Sequence, residues 1–394
     1  MIIKSANRVT QIQPYFFANL GKTIEQLKAS AMDIIRLDIG SPDLPPKDFI
    51  IDALVESARR PDMHGYGQSG GSDSLRKAFV SYYKKRFGIE LDPDQEMLGL
   101  IGSKEGLFNL SQVILNKGDF VLLPDPGYPV YGVGAVITQA KRHYMPLLVK
   151  NDFLPDFEAI PREIAQQAKL MWLNYPNNPT GAVAPYEFFE EAVAFAKRYD
   201  IIIAHDAPYV DVCFDNYEAP SILQVPDAKE VSVEFNSLSK TYNMAGWRVG
   251  VAAGNRDIIR LLQVYKSQLD SSHFKPIMRA AEAALLGDQT WISERNMVYQ
   301  NRRDIIVRTL REIGFDFEVP KASLYVWAKI PSSYEDSMTF CNDLLHNTGV
   351  SITPGEVYGP SGTGYVRISL VTPAEVLKEA MSRLRKWTRG NICD

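Results

Sequence analysis

The chain is poor in cysteine. Its 394 residues contain three, Cys213, Cys341 and Cys393, far apart and odd in number. They make neither a disulfide framework nor a C-x-x-C metal pair, and such usage fits a reducing cytoplasm. A basic excess is missing too, since 43 Lys and Arg stand against 47 Asp and Glu for a net charge of −4. That balance excludes the broad positive field of most nucleic-acid binders and leaves no polybasic signal for a membrane. No run reaches the roughly 18 apolar residues of a membrane span. Met1 to Leu20 holds no uninterrupted apolar stretch of the secretory kind. Internal repeats and low-complexity tracts are also lacking. What is present is ordinary globular composition, 45% hydrophobic and 23% charged, enough for a large core without staples. At about 150 residues per domain, the length suggests two or three domains, or one large α/β domain with an appendage. A cytoplasmic enzyme is the class left standing.

Short apolar runs alternate with longer amphipathic stretches, the pattern of a parallel-sheet α/β architecture. Buried strands are predicted at Met97–Ile101, Phe120–Leu123, Lys169–Leu173, Ile201–Ala204, Val231–Phe235 and Val249–Ala253. Helices are predicted over Lys104–Leu115 and Tyr186–Tyr199. Beyond residue 288 the pattern changes. A long polar helix over about Gln289–Ile313 stops at Gly314, and strands Tyr325–Ile330 and Gly364–Ser369 flank a helix near Met338–His346. A last helix is expected to start with Thr372 as its N-cap, Pro373 in first position and Glu375 three after the cap. Its buried stripe would be Leu377, Ala380, Met381, Leu384 and Trp387.

Four polar clusters each follow an apolar strand, and ligands of open α/β sheets bind beyond the carboxyl ends of strands. Gly102–Gly106 offers backbone N–H groups at a helix start, suited to a phosphate or to a plain βα turn capped by Ser103. Asn174–Gly181 is a turn by composition, and also brings amides to a strand end. Asp206 closes the strand Ile201–Ala204, where a buried carboxylate needs a partner: a helix N-terminus or a cationic ring nitrogen. His205 beside it faces the opposite side and reads as structural. The fourth cluster, Ser237-Leu238-Ser239-Lys240, supplies hydroxyls and an amine whose pKa a sheet crevice would lower, with Arg248 eight residues on to grip a phosphate.

Three other matches fail. Ser237 to Lys240 fits S-x-x-K, but neither S-D-N nor K-T-G accompanies it. Gly67-Gln68-Ser69-Gly70-Gly71 fits G-x-S-x-G but follows no buried strand, and Gly21-Lys22-Thr23 lacks the upstream glycine of a P-loop. A phosphate cradle, an amide, an aspartate and a lysine at strand ends have one economical joint explanation. It is pyridoxal 5'-phosphate, with a lysine to bind it covalently, an acid for its ring nitrogen and a cup for its phosphate.

From about Asp38 to Leu384 the chain resembles the class I/II aminotransferases of the fold-type I pyridoxal-phosphate enzymes. The resemblance rests on N-P-T-G at Asn178–Gly181, D-x-x-Y at Asp206–Tyr209, S-x-S-K at Ser237–Lys240 and G-W-R-x-G at Gly246–Gly250. Tyr66 with Gly71 and Leu75-Arg76, and Asp125–Tyr131, resemble two further family segments. It implies an α/β fold: a large domain with a mostly parallel seven-stranded sheet between helices, plus a small α+β domain. The expected division is an N-terminal arm and part of the small domain over 1–45, the cofactor domain over 46–288 and the C-terminal small domain over 289–394. It implies that Lys240 carries the cofactor and moves the proton, and that Asp206 pairs with the ring nitrogen. Asn178 and Tyr209 would bond the ring's phenolic oxygen and Tyr128 would stack on the ring. Ser103, Lys104, Ser237, Ser239 and Arg248 would bind the phosphate, with Tyr66 reaching in from the other subunit of a homodimer. Arg367 would clamp the substrate carboxylate, helped by Gly40 and Asn178. No metal is implied.

The implied reaction is ping-pong amino transfer between an L-amino acid and a 2-oxo acid in amino-acid metabolism. G-S-K-E-G at 102–106 and the loop at 126–131 look most like the branch of LL-diaminopimelate and some alanine and methionine aminotransferases. In that branch Tyr15 and Lys104 would touch substrate. A C–S β-lyase on the same fold, or an alanine/methionine-type aminotransferase, is the alternative. A cofactor-binding regulator is disfavoured by the intact Lys240 and by the short segment before the motifs.

Overall fold

The computed structural model describes residues 3–12 and 16–391; Tyr15 and Cys393 lie outside them. The strands, in chain order, are β1 Ile35–Arg36, β2 Met97–Ile101, β3 Phe120–Asp125, β4 Lys141–Pro146, β5 Ala168–Asn174, β6 Ile202–Asp206, β7 Ser232–Ser237 and β8 Val249–Gly254, then β9 Tyr325–Lys329, β10 Val350–Ser351, β11 Thr353–Pro354 and β12 Tyr365–Ser369. A seven-stranded sheet runs β2-β8-β7-β6-β5-β3-β4. Within it β8 is antiparallel to both neighbours, and the remaining pairs are parallel. The carboxyl ends of β2, β5, β6 and β7 therefore share one edge with the first residue of β8. Arg248 reaches that edge because its strand runs backwards.

The central strands are apolar on both faces because helices cover both. Met171, Leu173 and Ile203 join one cluster with the helices Asp73–Phe87 and Lys275–Leu286, whereas Leu170, Trp172, Ala204 and Phe235 join the other beneath Ser103–Ile114. β4 was not anticipated. Its sequence Lys-Arg-His-Tyr-Met-Pro buries Met145 alone among mostly exposed neighbours, the look of an edge strand kept polar against further pairing.

A third apolar cluster draws on both chain ends. Ile35 and Leu37 pack with Val326, Ile368, Leu377 and Leu384 and with Ile306 and Leu310 of the helix Trp291–Glu312. Pairing of β1 with β10 ties residue 35 to residue 350, and β11-β12-β9 forms a three-stranded antiparallel sheet beside it. The last helix, Ala374–Asn391, begins one residue later than expected. Thr372 does not serve as the expected cap: its hydroxyl donates to the Arg36 carbonyl (3.1 Å), and the Pro373 carbonyl takes the first helical bond, from Leu377. No helix among the described residues is long and apolar enough to cross a membrane.

Candidate active site

At the shared strand edge lies a cavity of about 470 Å³ lined by Gly40, Ser103, Lys104, Tyr128, Asn178, Asp206, Tyr209, Ser237, Ser239, Lys240, Arg248 and Arg367. Twelve of the fourteen residues expected at the site thus meet in one place. Tyr66 does not; it is 91% exposed and away from the cavity lining of its own chain. Tyr15 lies outside the described residues.

Asp206 ends β6 in register with Asn174 on β5. Its Oδ2 accepts from the Tyr131 hydroxyl at 2.6 Å, and Tyr131 is held by stacking on Trp172, with centroids 4.7 Å apart. Its Oδ1 is buried and has no hydrogen-bond partner among the described residues. Burial pushes the carboxyl up to about 6, against the Tyr131 bond. A buried acceptor left open in this way suits an N–H donor carrying positive charge. Asn174 donates to the Asp206 carbonyl at 2.7 Å and accepts from the Asn178 N–H at 2.8 Å, so two of the sequence clusters are joined directly. His205 points to the other face. Its ring bonds Glu234 (3.0 Å) and the Tyr175 carbonyl (3.1 Å), and it is structural.

Lys240 sits on the four-residue helix Leu238–Thr241 that follows β7. Ser237 caps this helix by accepting from the Ser239 N–H at 3.2 Å, which explains the serine of the S-x-x-K match. Burial, then Arg367 and Arg248, lower the Lys240 amine to about 7, and Asp206 opposes them. Its Nζ donates to the Gly40 carbonyl and lies 5.9 Å from the Tyr209 ring centre. Such an amine is largely uncharged just above neutral pH and is a competent nucleophile and base.

The anion cup forms where the helix Ser103–Ile114 points its N-terminus into the cavity. Gly102 enters this helix at φ +73°, and a Cβ there would overlap the Arg248 guanidinium. Arg248 itself is left-handed at φ 60°; Nη1 donates to the Ala245 carbonyl at 2.9 Å, and its carbonyl accepts from His273 at 2.7 Å. Burial, with Arg248 adding to it, lowers Lys104. The helix start is backed by Glu105, whose carboxylate accepts from the Ile101 N–H (2.6 Å) and from buried Lys266 (3.0 Å).

On the opposite wall Arg367 projects from β12. It donates to Asn178 Oδ1 at 3.0 Å and to the Asp38 carbonyl at 2.7 Å, and its guanidinium carbon lies 4.1 Å from the Tyr325 ring centre. It is buried and forms no ion pair among the described residues. Tyr325 also shares a 2.9 Å hydroxyl contact with Tyr209 and packs where a Gly40 side chain would sit. Asp38, Tyr131, Tyr325 and Tyr358 escaped the sequence reading. Tyr131 closes the segment Asp125–Tyr131 that carried part of the resemblance, whereas Tyr325 looks like any aromatic opening a core strand.

The donor set fits pyridoxal phosphate. There is an open carboxylate oxygen for a protonated ring nitrogen, a low-pKa amine beside it, and a cationic cradle at a helix N-terminus that no side chain fills at Gly102. The model of aminotransferase class I and II matches residues 32–384. The chain is 47% identical over 98% of both chains to the LL-diaminopimelate aminotransferase of Moorella thermoacetica. It is 46% identical, over 98% of the chain and 99% of the relative, to that of Dehalococcoides mccartyi. Among solved structures, substrate-bound BacF of Bacillus subtilis has a TM-score of 0.95 at 38% identity, covering 98% of each chain. An aspartate aminotransferase of Thermus thermophilus has 0.92 at 26%, covering 98% of this chain and 100% of that one. The chain belongs to the class I and II aminotransferases: it is a fold-type I transferase that uses pyridoxal phosphate to move amino groups from an amino acid to a 2-oxo acid.

Proposed function

We propose that the amino donor is LL-diaminopimelate. The observation that carries this reading is full-length identity of 43–47% to several relatives bearing that name. The cavity supports it by chemistry: Lys104, one of the cations assigned to the phosphate, stands on the wall beside Tyr128, where its amine could also meet a second polar group of the substrate. The half-reaction with LL-diaminopimelate tests the choice. Holoenzyme mixed with it alone should lose its visible band faster than with L-alanine or L-methionine; the reverse order would reassign the substrate.

Bound pyridoxal phosphate supplies an aldehyde carbon and a ring that withdraws electrons from the substrate Cα. The residues of this chain do the rest. Arg367 grips the α-carboxylate in two directed bonds, with Asn178 and the Gly40 backbone beside it. Lys240 Nζ, its pKa lowered to about 7 by burial, would hold the cofactor, take the Cα proton and return it one atom away. Asp206 stays ionised against the ring nitrogen; that cation offsets the burial that otherwise raises its carboxyl. Asn178 and Tyr209 orient the ring oxygen, and Tyr128 covers the ring face. Ser103, Ser237, Ser239, Lys104 and Arg248 hold the phosphate. The same residues run the return half-reaction with a 2-oxo acid.

We place the cofactor domain at residues 46–288 and a small domain at 289–394 completed by residues 1–45, a division that the shared core of Ile35, Leu37 and Ile368 supports. Tyr66, exposed in its own chain, would complete the phosphate site of a second copy in a homodimer. Sparse, scattered cysteines support a cytoplasmic location.

A further inference from the structure

No residue of the helix Trp291–Glu312 lines the cavity, yet two buried arginines of this helix bond Lys240 of its lining or residues a few positions along the chain from lining residues. Arg295 and Arg302 are 3% and 4% exposed. Seven residues apart, they share one helix face about 10 Å apart along the axis. Arg295 forms no ion pair among the described residues. Nη1 donates to the carbonyls of Lys240 (2.6 Å) and Thr241, and Nη2 donates to the Asp211 carbonyl (2.7 Å) and to Asn296 Oδ1 (2.6 Å). The first two are the last residues of the short helix bearing Lys240, and the third lies five residues after Asp206. Arg302 bonds Asp43 through both terminal nitrogens, at 2.7 and 2.9 Å, and donates to the Leu370 carbonyl at 3.2 Å. Asp43 lies three residues from Gly40, and Leu370 three from Arg367.

We propose that these two positioning residues divide the site between them: Arg295 sets the cofactor side by fixing the Lys240 backbone, and Arg302 sets the substrate wall through Asp43 and Leu370. A guanidinium cannot shed its proton, so burying one is costly unless its donors are directed into acceptors. An apolar side chain in either place would leave those acceptors, the Asp43 carboxylate among them, without their donors. What the arginines add is a fixed direction, and small errors in the placement of a reacting group are expensive. The proposal rests on the cofactor and carboxylate roles above, but not on the identity of the amino acid.

The experiment compares Arg295→Gln and Arg302→Gln with Arg295→Lys and Arg302→Lys. Two equilibrium quantities are read: the affinity of apoprotein for pyridoxal phosphate by fluorescence, and the amino-acid concentration that half-bleaches holoenzyme. L-Glutamate and LL-diaminopimelate are used in parallel, so a wrong substrate assignment shows as a wild-type failure with one of them only. The Arg295→Gln protein should lose cofactor affinity roughly tenfold or more with the amino-acid value little changed. The Arg302→Gln protein should show the reverse, and each lysine variant should recover part of its own loss. Equal losses of both quantities in both glutamine variants, or failure of both lysine variants to fold, would mean the arginines serve the fold alone and would overturn the proposal.

Discussion

Lys240, Asp206 and Arg367 face one another across a cavity, and each has an environment that a surface residue could not supply. Burial, then Arg367 and Arg248, lower the Lys240 amine to about 7, far below the roughly 10.4 of a free lysine. Between those values the unfolded chain binds more protons than the folded one, so this group adds stability as pH rises through that window. The melting temperature of apoprotein should therefore climb relative to Lys240→Met between pH 7 and 10; parallel curves would show that the amine is not perturbed. If Asp206 pairs with the ring nitrogen as proposed, replacing it by Asn should slow the half-reaction by about 10²–10³-fold. Half-saturation by amino acid should move little, and an unchanged rate would refute the pairing. Arg367→Ala should weaken amino-acid binding by roughly 10²-fold and leave the cofactor in place. Release of the cofactor instead would put Arg367 at the wrong end of the site.

At the scale of elements, the site is a set of strand ends, and the glycine turn after β2 shows how tightly they are fitted. Gly102→Ala places a methyl against Arg248 and forces an unfavourable φ, so pyridoxal phosphate should bind at least tenfold more weakly by equilibrium dialysis. Wild-type affinity would mean that the cradle is looser than its geometry. These turns were legible in the sequence because each closes an apolar run that reads unmistakably as a strand: Met97–Ile101, Ile201–Ala204, Val231–Phe235. β4 was not, since an edge strand with one buried residue carries no apolar run. Tyr325 and Asp38 were not legible either; they reach the site through pairing of β12 with β9 and of β1 with β10, contacts between segments more than 300 residues apart in the case of Asp38 and Arg367. Thr372 shows the limit of capping rules, because its hydroxyl found the Arg36 carbonyl more useful than the helix end.

The whole molecule turns a nearly neutral chain into a locally cationic pocket, so a few placed cations suffice where the composition shows no excess. If the working unit is a homodimer with shared sites, Tyr66→Ala and Lys240→Ala proteins, each impaired alone, should recover about a quarter of wild-type activity when mixed and reassorted. No recovery by dimers shown to have exchanged would keep Tyr66 out of the neighbouring site. One apolar core joins residues 35 and 37 to residue 368, segments that counting about 150 residues per domain would have cut apart. The most direct measurement is a single-turnover reaction of holoenzyme with LL-diaminopimelate and no oxo acid. The expected result is bleaching of the visible band with one equivalent of 2-oxo acid released per site, restored by adding a 2-oxo acid. Continuous release of ammonia and an oxo acid without bleaching, or no bleaching by any amino acid, would contradict it.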